Sequence, residues 1–204
     1  MRRLLPAALA AALLVLTACD SADVPKPPGQ AKVDVDTPQL RALKKQAGIE
    51  ACAPGPADEG GLPHLTLPCL GGGPDVDLSS LQGPMIVNLW QSFCEPCRKE
   101  MPALQEFYER HGDEIPVLGI DSTDTQPAAA LEFAGDLGVT YPQLADPGGD
   151  LSTRDPFPLI RGYPYLAIID ADGEIAYQQF GGVDSYDDLV DLVDLVDEHL
   201  GTDL

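Results

Sequence analysis

The fold of this chain is decided by residues 87–102, which read VNLWQSFCEPCRKEMP. The apolar run from Met85 to Trp90 has the length and composition of a buried strand. From Cys97 to about His111, apolar residues recur at the spacing of an amphipathic helix, at Met101, Leu104 and Tyr108. The Cys-Glu-Pro-Cys segment 94–97 is therefore predicted to connect the end of a buried strand to the start of a helix.

This position explains why two cysteines at this spacing predict redox chemistry. A helix N-terminus presents unpaired N–H groups and a partial positive charge, which favour a thiolate over a thiol. Cys94 is predicted to be the exposed, attacking thiol, and Cys97 the more buried thiol that resolves the mixed disulfide. Pro96 fixes the backbone at a helix position where its missing N–H costs little. Two other interpretations remain, half of a zinc site completed by Cys52 and Cys69, or a plain structural disulfide.

The residues that follow this helix alternate between further strands and helices. The predicted elements are strands at 116–121, 165–169 and 174–180 and helices at 127–138 and 185–200. The turn at 170–173 predicts that the last two strands form a hairpin. Ser185 and Asp188 are spaced to cap the last helix. This order predicts one α/β domain over residues 64–204, with a central mixed sheet flanked by helices.

An extension precedes this domain. Residues 19–38 hold Pro25, Pro27 and Pro28 with few apolar side chains, which predicts a flexible tether. A short helix is predicted at Pro38–Ala47, with the rest of the 39–73 extension irregular except for an extended piece at 64–67.

The N-terminus predicts export. Arg2 and Arg3 precede an uncharged apolar stretch, Leu4–Leu16, that is too short to span a bilayer. Residues 1–18 are therefore predicted to be a signal peptide. The segment Leu16–Cys19 (Leu-Thr-Ala-Cys) resembles a bacterial lipobox, so Cys19 is predicted to become the lipidated first residue of an extracytoplasmic lipoprotein anchored to the bacterial cell membrane. The alternative is an ordinary signal peptide in which Cys19 has no role.

The charge excludes nucleic acid as a partner. The formal net charge is −21, and loss of Arg2 and Arg3 with the signal peptide would make it about −23. Such a surface repels phosphates and anionic lipid headgroups. Attachment to a membrane is therefore expected through lipid on Cys19.

The cysteine count supports this organisation. Five cysteines are an odd set for an exported protein. Lipidation of Cys19 leaves four, of which Cys94 and Cys97 form one close pair. Cys52 and Cys69 then remain for a second disulfide, which an oxidising compartment permits. This second pair is predicted to be structural, with a second redox relay as the alternative.

The active-site segment resembles that of the TlpA/ResA-like (CcmG-like) extracytoplasmic thiol-disulfide oxidoreductases of the thioredoxin superfamily. The resemblance continues through Gly162–Tyr165 and the 172–173 turn to the final helix, and covers roughly residues 64–200. It implies a thioredoxin-like fold with a segment inserted between the second strand and its helix. The redox-active Cys94–Cys97 disulfide is then the reactive group, with no further cofactor and no metal expected.

The resemblance also assigns roles to individual residues. Pro164 matches the cis-proline that faces the cysteines, where the alternative is the start of an edge strand. Trp90 matches a residue that lines the site, although the residue pattern alone indicates a core position. Glu95, Pro96 and Tyr163 are placed where the substrate chain binds, and Tyr163 is bulkier than is usual there.

Glu100 is predicted to handle protons at the cysteines. The resemblance ties a glutamate at this position to that role, and Asn88 occupies the place where cytoplasmic thioredoxins carry a buried aspartate. A solvated surface glutamate is the alternative.

The resemblance implies a monomeric enzyme that exchanges disulfides with protein substrates. The expected direction is reduction, for example of apocytochrome c during cytochrome c maturation, with electrons from a membrane donor of the CcdA or DsbD type. Alternatives are a disulfide-forming oxidant, a non-catalytic binding module, and a Sco-like copper protein, for which His64, His111 and His199 have no strong claim. A peroxidase is a further option, but the Pro-x-x-x-Thr-x-x-Cys pattern does not occur.

Overall fold

The computed structural model describes residues 33–56, 61–157, 160 and 162–200. The strands are β1 (Thr66–Leu67), β2 (Val76–Asp77), β3 (Met85–Trp90), β4 (Val117–Ser122), β5 (Gln143–Asp146), β6 (Tyr165–Ile169) and β7 (Ile175–Phe180). Among these residues, a five-stranded sheet has the order β5-β4-β3-β6-β7. β4 pairs in parallel with both β3 and β5. β6 pairs antiparallel with both β3 and β7. The predicted α/β fold with a mixed sheet is confirmed.

The helices are α1 (Pro38–Ala47), α2 (Glu95–His111), α3 (Pro127–Asp136) and α4 (Tyr186–Leu200). α1 has the predicted bounds because Thr37 caps it, its Oγ1 accepting from the N–H of Leu40 at 3.2 Å. The cap predicted for α4 is also present. The N–H of Asp188 donates to Ser185 Oγ at 3.2 Å, and that hydroxyl donates to Asp188 Oδ2 at 2.8 Å.

The long apolar strands match their predictions and the short polar ones do not. β3 and β6 have the predicted bounds, and the turn at 170–173 joins β6 to β7 as a hairpin. β4 lies one residue later than predicted. β5 was not predicted, because Gln143 and Asp146 break its apolar pattern. Only residues 123–126 separate β4 from α3, so the inserted segment that the resemblance places between the second strand and its helix is not present there; α3 and β5 follow in turn before β6.

Two hydrophobic clusters cover the two faces of the sheet. Side chains of a strand alternate between faces, and in β3 Ile86 and Trp90 join one cluster while Val87 and Leu89 join the other. The first cluster contains residues of all four helices. The second is completed by the N-terminal extension and by residues of the 151–157 segment. The central strands are therefore buried on both faces, which makes β3 a rigid support for the residues that follow it.

The extension is joined to the domain at several points. α1 packs against α3, and Cys69 forms an isolated antiparallel bridge with Leu144 of β5. Cys52 and Cys69 are linked by a disulfide with a Cα–Cα distance of 5.8 Å. Val35 is buried, and its carbonyl accepts from the N–H of Gly71 at 2.9 Å. The predicted tether 19–38 was therefore wrong at its end, because packing of Val35 draws the chain into the fold before α1.

The predicted signal peptide, residues 1–18, and the predicted lipidation site, Cys19, lie outside the described residues, as does the tether before residue 33. Within the described ranges, the helices are too short or too polar to cross a bilayer.

Candidate active site

The two cysteines of the motif lie where strand β3 passes into helix α2. Cys94 is the residue that caps α2, and its Sγ accepts from the backbone N–H of Cys97 at 3.2 Å. The two sulfurs form a disulfide with a Cα–Cα distance of 5.3 Å. The Cys97 N–H, which this cap satisfies, therefore points at the sulfur of Cys94 and would stabilise negative charge there after reduction.

The two sulfurs differ in exposure. Cys94 is 8% exposed and Cys97 is fully buried, so Cys94 is the more exposed of the two sulfurs, as predicted. Cys94 is nevertheless less exposed than the sequence suggested. The disulfide holds its sulfur inward against Cys97 and the first turn of α2. Its neighbours Glu95 and Pro96 are exposed, so a substrate can approach from the side of the first helical turn.

The Tyr163–Pro164 bond is cis, as the resemblance implied. Pro164 is buried at the start of β6, and its carbonyl accepts from the N–H of Gly181 at 3.0 Å. Gly182 lies between the proline and helix α2. A Cβ on Gly182 would be 2.8 Å from Pro164 Cγ and 3.0 Å from Glu100 Oε1. The proline ring, the glycine backbone and the Glu100 carboxyl therefore meet beside the redox helix.

Glu100 is a fully buried carboxyl, so its interpretation as a surface residue is wrong. Asn88 on β3 donates from Nδ2 to Glu100 Oε2 at 2.7 Å. Burial raises the pKa of Glu100 to about 7. This effect is larger than that of the hydrogen bonds from the Asn88 amide and the Val183 N–H, which lower the pKa. Oε1 has no hydrogen bond of ordinary geometry within the described part of the chain. Glu100 can thus gain or lose a proton near neutral pH.

We expect Glu100→Gln to flatten the dependence of stability on pH. The pKa of Glu100 is 4.5 as a free group and about 7 when folded, so the native state binds more protons between these values. Its stability therefore falls as the pH rises from 4.5 to 7, by on the order of 3 kcal/mol. Urea unfolding of the oxidised protein across this range would measure the fall, which the variant should lack.

The matched control for this measurement is Glu132→Gln, which changes an exposed glutamate on α3. It should retain the fall in stability that the parent protein shows. Asp121 and Asp146 also have raised pKa values, but their effects are common to all three proteins and cancel in the differences. Equal slopes for Glu100→Gln and the parent would contradict the burial of an ionisable Glu100.

Trp90 does not line a substrate surface. It is fully buried, stacks on Phe133 with ring centroids 5.5 Å apart, and donates from Nε1 to Gln143 Oε1 at 2.9 Å. The assignment of Trp90 to substrate binding was therefore wrong for this conformation. As the last residue of β3, it points into the helix-covered core and supports the loop that carries Cys94.

The exposed aromatic beside the cysteine is instead Phe93, which is 63% exposed. Its position directly before Cys94 places a large apolar side chain where a substrate chain would reach the sulfur. Phe93 was not among the predicted substrate-binding residues. The sequence did contain an indication of this role. Phe93 is an aromatic residue in a loop between a buried strand and a helix cap, where packing of the core does not require an aromatic side chain.

Tyr163 is fixed by the loop that follows β4. Its hydroxyl lies 3.0 Å from both Ser122 Oγ and Thr123 Oγ1. Thr123 also accepts a hydrogen bond from the side chain of Gln91, in the loop before the cysteines. Thr123 has φ 53°, a left-handed conformation that is rare for a threonine. This residue therefore connects the cysteine loop to the cis-proline loop.

Two acids behind this loop were not selected from the sequence. Asp124 Oδ2 accepts from the N–H of Ser92 at 2.9 Å and from its hydroxyl at 2.6 Å. Asp121 is buried beside Trp90 in the sheet register. Burial, and then the charge of Asp124, raise the pKa of Asp121 well above its usual range. Asp124 therefore positions the cysteine loop from the side of β4.

His111 lies at the opposite end of α2 from the cysteines, roughly 25 Å away for a 17-residue helix. Its Nε2 is 2.7 Å from the hydroxyl of Tyr186. This placement removes His111 as the histidine that a Sco-like copper site at Cys94 would require. His64 precedes β1, and the side chain of His199 is outside the described structure.

A family model described as the AhpC/TSA family matches residues 61–178, which is more than half of the chain. The chain belongs to the AhpC/TSA family. Within this family, the relatives it matches include proteins named for thiol-disulfide exchange. The predicted resemblance to ResA-like proteins of the thioredoxin superfamily is thereby confirmed.

Two relatives illustrate the similarity of this AhpC/TSA chain. Thiol-disulfide oxidoreductase ResA of Bacillus thuringiensis (strain Al Hakam) is 33% identical over 114 residues, which cover 53% of this chain and 62% of the relative. The thiol:disulfide interchange protein DsbE homolog of Paracoccus denitrificans is 36% identical over 100 residues, covering 48% and 51%. The chain thus spans less than two thirds of the length of these curated relatives.

Solved structures agree with the fold. A candidate protein disulfide isomerase from Bacteroides thetaiotaomicron superposes with a TM-score of 0.56 at 31% identity, covering 72% of this chain and 92% of that one. MTB DsbF, solved in mixed oxidised and reduced forms, has a TM-score of 0.56 at 25% identity, covering 66% and 98%.

Proposed function

We propose that this chain is an extracytoplasmic thiol-disulfide oxidoreductase that acts on protein substrates through Cys94 and Cys97. The observation that carries the proposal is the Cys94–Cys97 disulfide at the start of α2, in a loop that Gln91 and Thr123 connect to Tyr163 of the cis Tyr163–Pro164 bond. A helix N-terminus supports a thiolate on Cys94, and the loop that carries the cis-proline is proposed, on the family resemblance, to bind the extended substrate.

In the proposed reaction, the Cys94 thiolate attacks a substrate disulfide. A bond forms between Cys94 Sγ and one substrate sulfur, and the other substrate sulfur leaves as a thiolate that takes up a proton. Cys97 then loses its proton and attacks Cys94 Sγ, which releases the second substrate sulfur. The substrate gains two electrons and two protons, and the enzyme ends with the Cys94–Cys97 disulfide that the structure contains.

Glu100 is proposed to accept the proton of Cys97 in the second step. Both residues lie on α2, three positions apart and buried on the same side of the helix. A carboxyl with a pKa of about 7 is suited to take a proton at neutral pH.

The proposed role of Glu100 predicts a change in thiol titration. In the reduced protein, Glu100→Gln should alter the pH dependence of thiolate formation, measured by absorbance at 240 nm and by alkylation rate. The direction follows from charge. An ionised Glu100 opposes a thiolate, so its removal should lower the pH at which the thiols ionise. Glu132→Gln should leave the curve unchanged, and an unchanged curve for Glu100→Gln removes this residue from the mechanism.

The proposed direction is reduction of the substrate. An oxidant such as DsbA is strong because its reduced form is stabilised. Here the first turn of α2 begins with Glu95, whose carboxylate opposes a thiolate, although weakly because its side chain is 75% exposed. Arg98 lies 4.0 Å from Glu95, but this pair is exposed and screened by solvent. The buried Glu100 carboxyl adds a second group that disfavours a thiolate.

The reduction potential of the Cys94–Cys97 pair tests this direction. Equilibration of the full chain with glutathione or dithiothreitol buffers, followed by alkylation and peptide mass mapping, gives the potential of this pair separately from Cys52–Cys69. We expect a value near or below about −270 mV, which is the level of thioredoxin. A value near about −120 mV would instead make the protein an oxidant.

The compartment and partners belong to the same proposal. Export and attachment through lipid on Cys19 are supported by the charged and apolar pattern of residues 1–18 and by the Leu-Thr-Ala-Cys segment. Apocytochrome c is the proposed substrate class, and a membrane protein of the CcdA or DsbD type the proposed electron donor. Both are supported by the resemblance to ResA-like proteins. Incorporation of radiolabelled palmitate by the intact chain, but not by Cys19→Ala, would test the anchor.

A further inference from the structure

We propose that the Cys52–Cys69 disulfide is a second redox-active site, at which a low-molecular-weight thiol attacks Cys52 and Cys69 departs as a thiolate. This inference is independent of the function proposed for Cys94 and Cys97. It concerns the sulfurs of Cys52 and Cys69, whose reactions can be measured in a protein that lacks Cys94 and Cys97. Three features of the surroundings of Cys52 and Cys69 carry it.

The first feature is a lysine in contact with the sulfur of Cys69. Lys44, in the last turn of α1, donates from Nζ to Cys69 Sγ at 2.8 Å and to the carbonyl oxygen of Gly72 at 3.1 Å. The lysine is buried, and burial lowers its pKa whereas the charge of Asp36 raises it. A buried lysine is rare in proteins. A disulfide that serves only as a crosslink does not need a strong donor at one sulfur, whereas a departing thiolate does.

The second feature is a backbone shaped to bring these groups together. Gly71, Gly72 and Gly73 follow Cys69 closely, and all three have positive φ angles, of 75°, 92° and 130°. A Cβ on Gly71 would be 2.8 Å from Lys44 Cβ, and one on Gly73 would be 3.3 Å from Cys69 Sγ. Larger residues would therefore crowd either the lysine or the sulfur. The triple glycine lets the loop fold tightly around Cys69.

The third feature is a cavity beside the other cysteine, Cys52, which is 3% exposed. Cys52 lines a cavity of about 280 Å³ whose walls are largely apolar and include Val76, Leu81, Met85 and Val117. This volume is at the small end of the range for ligand pockets, and it suits a small thiol better than a protein loop. The disulfide is therefore asymmetric. The cavity adjoins Cys52, and the lysine contacts Cys69.

The asymmetry defines the direction of the exchange. The thiolate of a small thiol bonds to Cys52 Sγ, the Cys52–Cys69 bond breaks, and Cys69 leaves as a thiolate stabilised by the Lys44 N–H. A second molecule of the thiol then attacks its partner in the mixed disulfide and releases Cys52. Two thiols are oxidised to one small disulfide, and the protein disulfide is reduced to two thiols, so that electrons and protons balance. Leaving groups with lower pKa depart faster, which favours Cys69 as the leaving sulfur.

The position of the mixed disulfide is the first test. The full chain with Cys94→Ser and Cys97→Ser is treated with glutathione, quenched with acid and mapped by peptide mass, with circular dichroism to show that it stays folded. We expect glutathione on Cys52 at least about tenfold more often than on Cys69. Equal labelling, a preference for Cys69, or no reaction until the protein unfolds would each overturn the proposal.

Lysine variants provide the second test. In the same background, Lys44→Met should lower the equilibrium constant for reduction of Cys52–Cys69 by dithiothreitol about tenfold, equivalent to about 30 mV. Lys45→Met is the matched control, because Lys45 is the next residue and is exposed; it should leave the constant unchanged. Equal effects of the two variants would make Lys44 a structural residue and reject the proposal. If Lys44→Met does not fold, the glutathione map decides by itself.

Discussion

Cys94→Ser is expected to reduce the rate of protein-disulfide reduction to the uncatalysed background, whereas Cys97→Ser is expected to stop the reaction halfway. A serine hydroxyl cannot replace the thiolate that attacks the substrate, so the first variant forms no covalent intermediate. In the second variant, Cys94 still attacks, but the resolving thiol is missing and the mixed disulfide persists. Insulin reduction driven by dithiothreitol measures the rate, and non-reducing electrophoresis detects the adduct.

A third variant separates this pair from the other disulfide. Replacing both Cys52 and Cys69 by Ser should preserve insulin reduction at temperatures where the variant is folded. Loss of a disulfide that closes a loop of this length, 17 residues, costs roughly 3 kcal/mol of stability, so unfolding must be monitored in parallel. Accumulation of the adduct in Cys94→Ser rather than in Cys97→Ser would reverse the roles assigned to the two sulfurs.

Gly182→Ala is expected to impair both stability and exchange, much more than Gly181→Ala. The two glycines are adjacent and have φ angles of 75° and 95°, so an alanine at either one incurs the left-handed penalty of roughly 1–2 kcal/mol. Only at Gly182 would the new Cβ also meet Pro164 Cγ at 2.8 Å and the Glu100 carboxyl at 3.0 Å. That overlap adds roughly 1–3 kcal/mol.

The effect on exchange follows from the same overlap. Relief of the contact must move either the cis-proline ring or the Glu100 carboxyl, and a shift of about 1 Å in reacting groups can reduce a rate about 100-fold. At Gly181 the added Cβ has no described atom within 4 Å, so its exchange rate should match the parent protein. Chemical denaturation and insulin reduction of both variants would measure the two effects. Equal exchange rates would show that the Pro164–Gly182–Glu100 contact does not matter for exchange.

The local elements of the site were predictable because each has a short-range physical cause. The burial of β3 follows from its apolar run, which only Asn88 interrupts, and the start of α2 follows from a capping residue and a proline in its first turn. The cis peptide before Pro164 followed only from the family resemblance. An X-Pro bond permits the cis form, but it is trans in most proteins.

Other features escaped prediction because they depend on contacts between distant residues. The role of Glu100 was predicted through the resemblance, but its burial was not, because that depends on Asn88 of β3 opposite it and on the residues around Gly182. For Trp90 the residue pattern indicated a core position and the resemblance a site position, and contacts with Phe133 of α3 and Gln143 of β5 decide for the core. The strand β5 has two polar residues and is only four residues long. It is a strand because it pairs with β4, and its own sequence does not predict one.

The amino-acid sequence by itself determined the order of the long strands and helices, the redox motif at a helix start, and the even set of cysteines that remains once Cys19 is set aside. These depend on periodicity, capping and spacing, which act over a few residues. Only the tertiary structure decided which carboxyl is buried beside the cysteines, which aromatic faces solvent, and that a lysine lies against Cys69. Burial and the approach of charged groups are produced by packing between segments far apart in the chain, and these set proton affinity and sulfur reactivity.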